Sequence, residues 1–164
     1  MEWIKLILRS IIILVLQVTI FDRLQIQGWG YPMMYLVLLL NIPTQIPRWA
    51  EMLIGMLVGI IIDICNNSMG VHMAACIALS FIRPILLKNA VQDIERIKGE
   101  INSQTIGFAE YIKCTIILTL CHHFMIFMLE AWSLQNWSMI IIQTLFSSIL
   151  TIILILGYDL LKNR

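Results

Sequence analysis

The sequence carries very little charge. Only 13% of its 164 residues are Asp, Glu, Lys or Arg, whereas a soluble domain averages about 25%. This scarcity of charge, together with 60% hydrophobic residues and a mean hydropathy of +0.88, excludes an ordinary water-soluble domain. We therefore expect a single integral membrane domain over residues 1–164, embedded in a lipid bilayer and without a separate soluble domain.

Cysteine pairs and basic clusters are also scarce. The four cysteines form no Cys-x-x-Cys pair, so we expect neither a zinc site nor a disulfide framework, and interpret them as small buried hydrophobic side chains. The net charge is +1, and the chain has no Lys/Arg-rich tail and no stripe of basic and aromatic residues. The composition predicts no nucleic-acid partner, and no metal ion or cofactor is expected.

Motifs that frame a catalytic nucleophile or cradle a phosphate are absent from the sequence. Asp63 and His72 flank a polar turn, where they could form an acid–base pair or simply satisfy each other as two polar helix ends. His122 and His123 are adjacent in an apolar run, so they point in different directions and cannot easily bind one metal ion. We expect one of these two to hydrogen-bond to a neighbouring helix, and the protein not to be an enzyme.

Long apolar runs are what the sequence does contain. At about 1.5 Å of rise per residue, such runs approach the roughly 30 Å thickness of the hydrocarbon core. We predict an all-α bundle of six transmembrane helices, although Pro43 and Pro47 interrupt the second run. The predicted spans are 4–21, 32–47, 49–64, 71–87, 111–129 and 138–156.

The distribution of basic residues favours a second run that crosses the membrane. With six spans, the loops on one side hold Arg23 alone, and the other side holds ten of the eleven basic residues. If run 32–47 did not cross, the basic segment 83–113 would move to the opposite side. The positive-inside rule therefore predicts six spans with both termini in the cytoplasm. Trp132 and Trp137 then lie in an outer loop and suit the membrane interface.

The most polar stretch of the chain, residues 88–110, connects the fourth and fifth predicted spans. Four of its apolar residues recur at helical spacing, which predicts a short amphipathic helix on the cytoplasmic side. That helix would lie on the membrane surface or against a partner, or it would be a solvated connecting helix that packs on its own bundle. The four residues are Val91, Ile94, Ile97 and Ile101.

The stretch from Gly55 to Arg83 combines two glycines, which allow close helix packing, with polar and charged residues. Gly55 and Gly59 are four residues apart, a spacing that lets two membrane helices approach closely, within the bundle or with a partner. Asp63 is expected to hold the outer end of its helix to a neighbouring polar group. Arg83-Pro84 predicts a kink, or an exit from the fourth span with Arg83 at the interface. The candidate packing or partner-binding residues are Gly55, Gly59, Asp63, Gly70, His72 and Arg83.

Three pieces of the sequence occur in an order that resembles a known family. They are Gln17-Val-Thr-Ile-Phe21-Asp-Arg23-Leu, the turn Gly28-Trp-Gly30-Tyr-Pro32, and Gly55-x-x-x-Gly59-x-x-x-Asp63 followed by a polar turn and Gly70-x-His72. With the chain length and the six predicted spans, this order resembles the rod shape-determining protein MreD family.

The resemblance implies a fold similar to the substrate-binding components of energy-coupling-factor vitamin transporters. It also implies a non-enzymatic inner-membrane component of the bacterial cell-elongation complex, which supports cell shape and lateral peptidoglycan synthesis. The implied partner is an MreC-type rod-shape protein and, through it, the actin-like MreB and the wall synthases. The alternative is the substrate-binding membrane subunit of a small-molecule (vitamin) transporter, with an outward-facing pocket near Asp63 and His72.

Overall fold

The computed structural model describes residues 2–24, 28–131 and 137–162. Within these ranges the chain is helical and contains no strand. Trp132, which the sequence predicts at the membrane interface, lies outside the described residues. The helices are α1 (Glu2–Thr19), α2 (Leu36–Leu40), α3 (Arg48–Asn66), α4 (Val71–Ala90), α5 (Ser103–Ile106), α6 (Phe108–Ala131) and α7 (Trp137–Lys162).

Five of these helices are long and apolar enough to cross a membrane, which makes the chain a multi-pass membrane protein. They are α1, α3, α4, α6 and α7, and they correspond to five of the six predicted spans. Their outward faces are apolar, with exposed side chains such as Ile7 and Ile11 on α1 and Ile149 and Ile153 on α7. Surfaces of this kind match lipid rather than water.

The predicted second span, residues 32–47, does not form a continuous helix. Only Leu36–Leu40 is α-helical, and the chain on either side of it is irregular. The physical reason is proline: Pro43 and Pro47 have no backbone N–H and disfavour the helical conformation of the residue before them. The sixth membrane helix expected from the sequence is therefore not among those found.

The two ends of the bundle are distinguished by their contacts. At one end, which we call the basic end, Glu100 pairs with Arg9 on α1 at 2.9 Å and with Lys162 on α7. The first half of α1 and the end of α7 therefore lie near the same end of the bundle. The opposite end, where α3 turns into α4 next to Asp63, is called here the Asp63 end.

Residues 28–47, the interrupted segment, run from the Asp63 end to the basic end. Near the start of the segment, the Pro32 carbonyl accepts a hydrogen bond from Gln17 in the last turns of α1 (3.0 Å). Further along, the Thr44 N–H donates to the Gly99 carbonyl in the connection at the basic end (3.2 Å). The described chain thus passes between the two ends six times, five times as a long helix and once as this segment.

Residues 88–110 do not form the amphipathic helix that their spacing predicts. After the end of α4 come a 3-10 turn at Ile94–Arg96 and then the short α5. Asp93 and Gly99 adopt positive φ angles of 54° and 107°, which breaks any continuous helix. The apolar residues of the pattern nevertheless pack against the bundle core: Val91 and Ile101 are buried, and Ile94 and Ile97 are partly buried.

Candidate functional site

The α3–α4 hairpin is held together by the two glycines of α3. A Cβ atom on Gly55 would lie 2.8 Å from the Cys76 carbonyl oxygen, and one on Gly59 would lie 2.7 Å from the Met73 nitrogen. Real side chains do not tolerate such distances to backbone atoms, so only glycine permits this approach. The structure therefore places both glycines in a seam inside the chain, against α4.

Asp63 caps the start of α4 from the end of α3. Its Oδ1 accepts hydrogen bonds from the Ser68 hydroxyl (2.5 Å) and the His72 N–H (3.0 Å), and its Oδ2 accepts from the Met73 N–H (2.8 Å). The first N–H groups of a helix have no partner within the helix, so the carboxylate satisfies them. Its negative charge is also attracted to the positive end of the helix dipole. Gly70, with φ of 89°, makes the turn immediately before α4.

Asp63 and His72 do not form an acid–base pair through their side chains, since the carboxylate contacts the His72 backbone. The His72 ring points into the bundle, where its Nδ1 lies 2.9 Å from the Tyr35 hydroxyl. That hydroxyl also lies 2.8 Å from Nε2 of His122. The three side chains form a buried hydrogen-bonded chain that joins α4, the interrupted segment and α6.

Both mid-span histidines make hydrogen bonds, where the sequence led us to expect one. The Nδ1–H of His123 donates a hydrogen bond to the Thr119 carbonyl (2.9 Å), and its Nε2 lies 3.3 Å from the Thr151 hydroxyl on α7. Its neighbour His122 instead contacts Tyr35, as adjacent positions on a helix require. Among the described residues, no group of three His, Cys, Asp or Glu side chains is arranged to hold a metal ion.

Arg83 is buried inside the bundle and α4 does not end there, which corrects the predicted exit of the chain at Arg83. α4 continues through Pro84, and Arg83 is only 1% exposed. Its guanidinium pairs with Glu51 of α3 (2.7 Å) and donates to the carbonyls of Leu40 (3.0 Å) and Ile42. The reason is that the interrupted segment leaves carbonyls without helical partners, and a guanidinium can satisfy several acceptors at once.

Several further backbone groups of the interrupted segment are satisfied by polar side chains of α1 and α7. Gln17 on α1 accepts from the Tyr35 N–H (3.2 Å) and donates to the Pro32 carbonyl. On α7, Ser147 accepts from the Tyr31 N–H (3.0 Å), and Thr151 accepts from the Met33 N–H (2.9 Å). Irregular backbone at membrane depth is tolerated only where protein groups satisfy it in this way.

A cavity of about 240 Å³ lies at the Asp63 end, above the buried Tyr35 chain. It is bounded by the end of α1, the start of the interrupted segment, the α3–α4 turn and the last turn of α6. His72 lies in its wall, whereas Asp63 does not line it. The polar lining residues are Asp22, Tyr31, Asn66, Ser68, His72 and Glu130.

Comparison with known proteins did not identify a relative of this chain. No protein-family model, no curated protein and no solved structure matches this chain. The resemblance to the MreD family therefore rests on the order of the sequence motifs given above.

Proposed function

We propose that this chain is a non-enzymatic scaffold of the bacterial inner membrane that belongs to the cell-elongation complex. In this role it binds an MreC-type rod-shape protein, and through it connects to MreB and the wall synthases. The family is suggested by the ordered sequence motifs. The observation that carries the scaffold interpretation is the use of the central polar side chains: Asp63, Arg83 and Tyr35 all hold the bundle together.

A rigid bundle with an apolar periphery suits this role. α1 is the most peripheral of the spanning helices, because only 11% of its membrane-spanning residues are buried inside the bundle. Its exposed side chains include Ile7, Ile11 and Val15. Helices associate in lipid through close side-chain packing rather than through a hydrophobic driving force. A partner helix that packs along α1 would thus bind the scaffold without any polar contact.

The orientation we propose puts the basic end in the cytoplasm. With six passes, Arg23 belongs to the Asp63 end, and the other nine basic residues of the described chain belong to the basic end or its adjoining chain. The positive-inside rule then favours cytoplasmic termini and a periplasmic Asp63 end. A partner with a large periplasmic domain would meet the scaffold at the Asp63 end.

Affinity purification from gently solubilised membranes, followed by mass spectrometry, tests this proposal. We expect a single-span periplasmic rod-shape protein and wall synthases to co-purify with the chain. An Ile11→Asn variant should lose the partner if α1 is the docking helix, and Ile153→Asn on α7 is its matched control. Recovery of a transport ATPase pair with a coupling subunit, in place of these partners, would contradict the scaffold function.

One observation favours the alternative function, the substrate-binding subunit of a small-molecule transporter. The cavity at the Asp63 end lies near Asp63 and His72, where the sequence resemblance expects an outward-facing ligand pocket. Its volume is below the 300–1,000 Å³ that is typical of drug-sized ligand sites. A transporter of this kind would therefore carry a compact substrate.

A further inference from the structure

The cavity at the Asp63 end is acidic. Asp22 and Glu130 both line it, and no Lys or Arg of the described chain does. One oxygen of Asp22 accepts a hydrogen bond from Gln17 Nε2 at 2.6 Å, and its other oxygen is buried without a partner. A buried carboxylate oxygen that lacks a donor is costly, so a ligand that supplies a donor and a positive charge would be stabilised.

Aromatic rings form the apolar part of the same cavity. Phe21, Tyr31 and Phe127 line it, and the rings of Tyr31 and Phe127 pack with their centroids 5.7 Å apart. Aromatic faces attract organic cations through the negative potential of the ring. Carboxylates and aromatic faces together therefore select a ligand that is positively charged and partly apolar.

His72 supplies a further polar group to the wall. Its side chain is held in place because Nδ1 bonds to Tyr35, and the residue is only 6% exposed. Its other ring nitrogen, Nε2, makes no hydrogen bond to the rest of the described chain. If His72 carries its proton on Nδ1 and donates it to Tyr35, then Nε2 is a free acceptor.

We propose that this cavity binds a small organic ammonium ion. The ammonium group donates to the carboxylates of Asp22 and Glu130 and to Nε2 of His72, and the alkyl part lies against the aromatic rings. At roughly 30 Å³ per water, the cavity has the volume of about eight water molecules, which limits the ligand to a compact amine. This inference does not rest on the scaffold function.

Binding also fixes the direction of the buried hydrogen-bond chain. The Tyr35 hydroxyl has one proton and two histidine neighbours, so it donates to one ring and accepts from the other. A bound ammonium selects the arrangement in which His72 donates from Nδ1 to Tyr35 and Tyr35 donates to His122. The tautomer of His72 therefore reports on occupancy of the cavity.

The test uses the full chain in a neutral detergent and three probes of similar shape. We expect butylammonium to raise the thermal unfolding midpoint in a saturable way, and the uncharged butanol and the anionic butyrate to have no saturable effect. Asp22→Asn keeps an acceptor for Gln17 but loses the charge, and should weaken butylammonium binding at least tenfold. Glu95→Gln, an exposed carboxylate at the basic end, is the matched control and should bind as the wild type does.

A second measurement does not depend on variants. With only three histidines in the chain, selective ¹⁵N labelling can follow each ring, and His72 should become uniformly Nδ1-protonated as butylammonium is added. No saturable stabilisation, equal stabilisation by butanol, or unchanged binding in Asp22→Asn would each overturn the proposal. No partner protein is present in this assay, so its failure would leave the scaffold function untouched.

Discussion

Arg83 of α4 and Glu51 of α3 form an ion pair of 2.7 Å whose side chains are only 1% and 4% exposed. The pair does more than join two helices, because the same guanidinium holds the carbonyls of Leu40 and Ile42. The interrupted segment is thereby tied to the α3–α4 hairpin near the basic end. At the other end of the segment, Gln17, Ser147 and Thr151 have the corresponding role.

Loss of the Arg83 side chain should destabilise the protein strongly. Arg83→Met leaves Glu51 as an unpaired buried charge and exposes two carbonyls to an apolar environment, which we expect to cost about 3–5 kcal/mol. Arg83→Lys keeps the charge but not the planar fork of donors, so its cost should be intermediate. Thermal unfolding in detergent, together with the amount of protein in the membrane, measures both effects.

The matched control for the buried pair is an exposed one. The Nζ atom of Lys88 lies 3.6 Å from Oε1 of Glu95, and the two side chains are 68% and 83% exposed. Such pairs contribute about 0–1 kcal/mol, so Lys88→Met should unfold close to the wild-type temperature. If Arg83→Met and Lys88→Met shift the unfolding midpoint equally, the buried pair does not hold the interrupted segment.

Gly59→Leu should prevent α3 and α4 from packing. The added side chain would overlap the backbone of α4 at Met73, and backbone cannot move aside as a flexible side chain can. Gly157→Leu on α7 is the control, because nothing lies within 4 Å of a Cβ at that position. We expect Gly59→Leu to accumulate poorly in membranes and Gly157→Leu to accumulate normally. Normal accumulation and assembly of Gly59→Leu would refute a seam at this position.

The sequence predicts the α3–α4 hairpin well and contains the signal for its ion pair. The glycine spacing identifies the seam, and Gly59 faces Met73 while Gly55 faces Cys76 and Ser80. Continuing this antiparallel register by one more turn puts Glu51 opposite Arg83. Two charges inside predicted membrane helices require partners, so the sequence indicates that Glu51 and Arg83 each need one, and the register seen in the structure pairs them.

The path of the interrupted segment could not be predicted in the same way. In a regular helix the buried face can be recognised because apolar residues recur about every 3.6 residues, but irregular backbone shows no such recurrence. Nothing local to Tyr35 indicates that its hydroxyl lies between His72 and His122. The partners of that hydroxyl come from α4 and α6, far along the chain, and depend on how the bundle closes around the segment.

Asp63→Asn should be milder than Asp63→Leu. The carboxylate accepts three hydrogen bonds at the start of α4. Asn retains one acceptor oxygen and loses the charge next to the helix dipole, whereas Leu removes every acceptor. Loss of a helix cap costs about 0.5–2 kcal/mol, and we expect Leu to lie at the upper end of that range or beyond it. Unfolding curves are the first readout, and restoration of cell shape is a second one that applies under the proposed function. Wild-type unfolding of both variants would contradict a capping role.

The native Cys65 reports on the proposed orientation. It is exposed at the Asp63 end, whereas Cys76 and Cys114 are buried. In intact cells with a permeable outer membrane, a membrane-impermeant maleimide should label Cys65 from the periplasm. An Asp93→Cys substitution at the basic end, in a chain with Cys65 changed to Ser, should react only after the inner membrane is opened. The opposite pattern would reverse the orientation, and labelling of both sites in intact cells would rule out the proposed six passes.

Tyr35→Phe tests whether the buried hydroxyl chain stabilises the bundle. The change removes one hydroxyl and leaves His72 Nδ1 and His122 Nε2 without their shared partner. Each unsatisfied buried group costs about 1–3 kcal/mol, so we expect a clear fall in the unfolding midpoint. Tyr31→Phe is the control, because the Tyr31 hydroxyl makes only an exposed 3.5 Å contact to the Gly28 carbonyl. Equal midpoints for the two variants would mean that the histidines find other partners, and the Tyr35 chain would then not be what fixes the segment between α4 and α6.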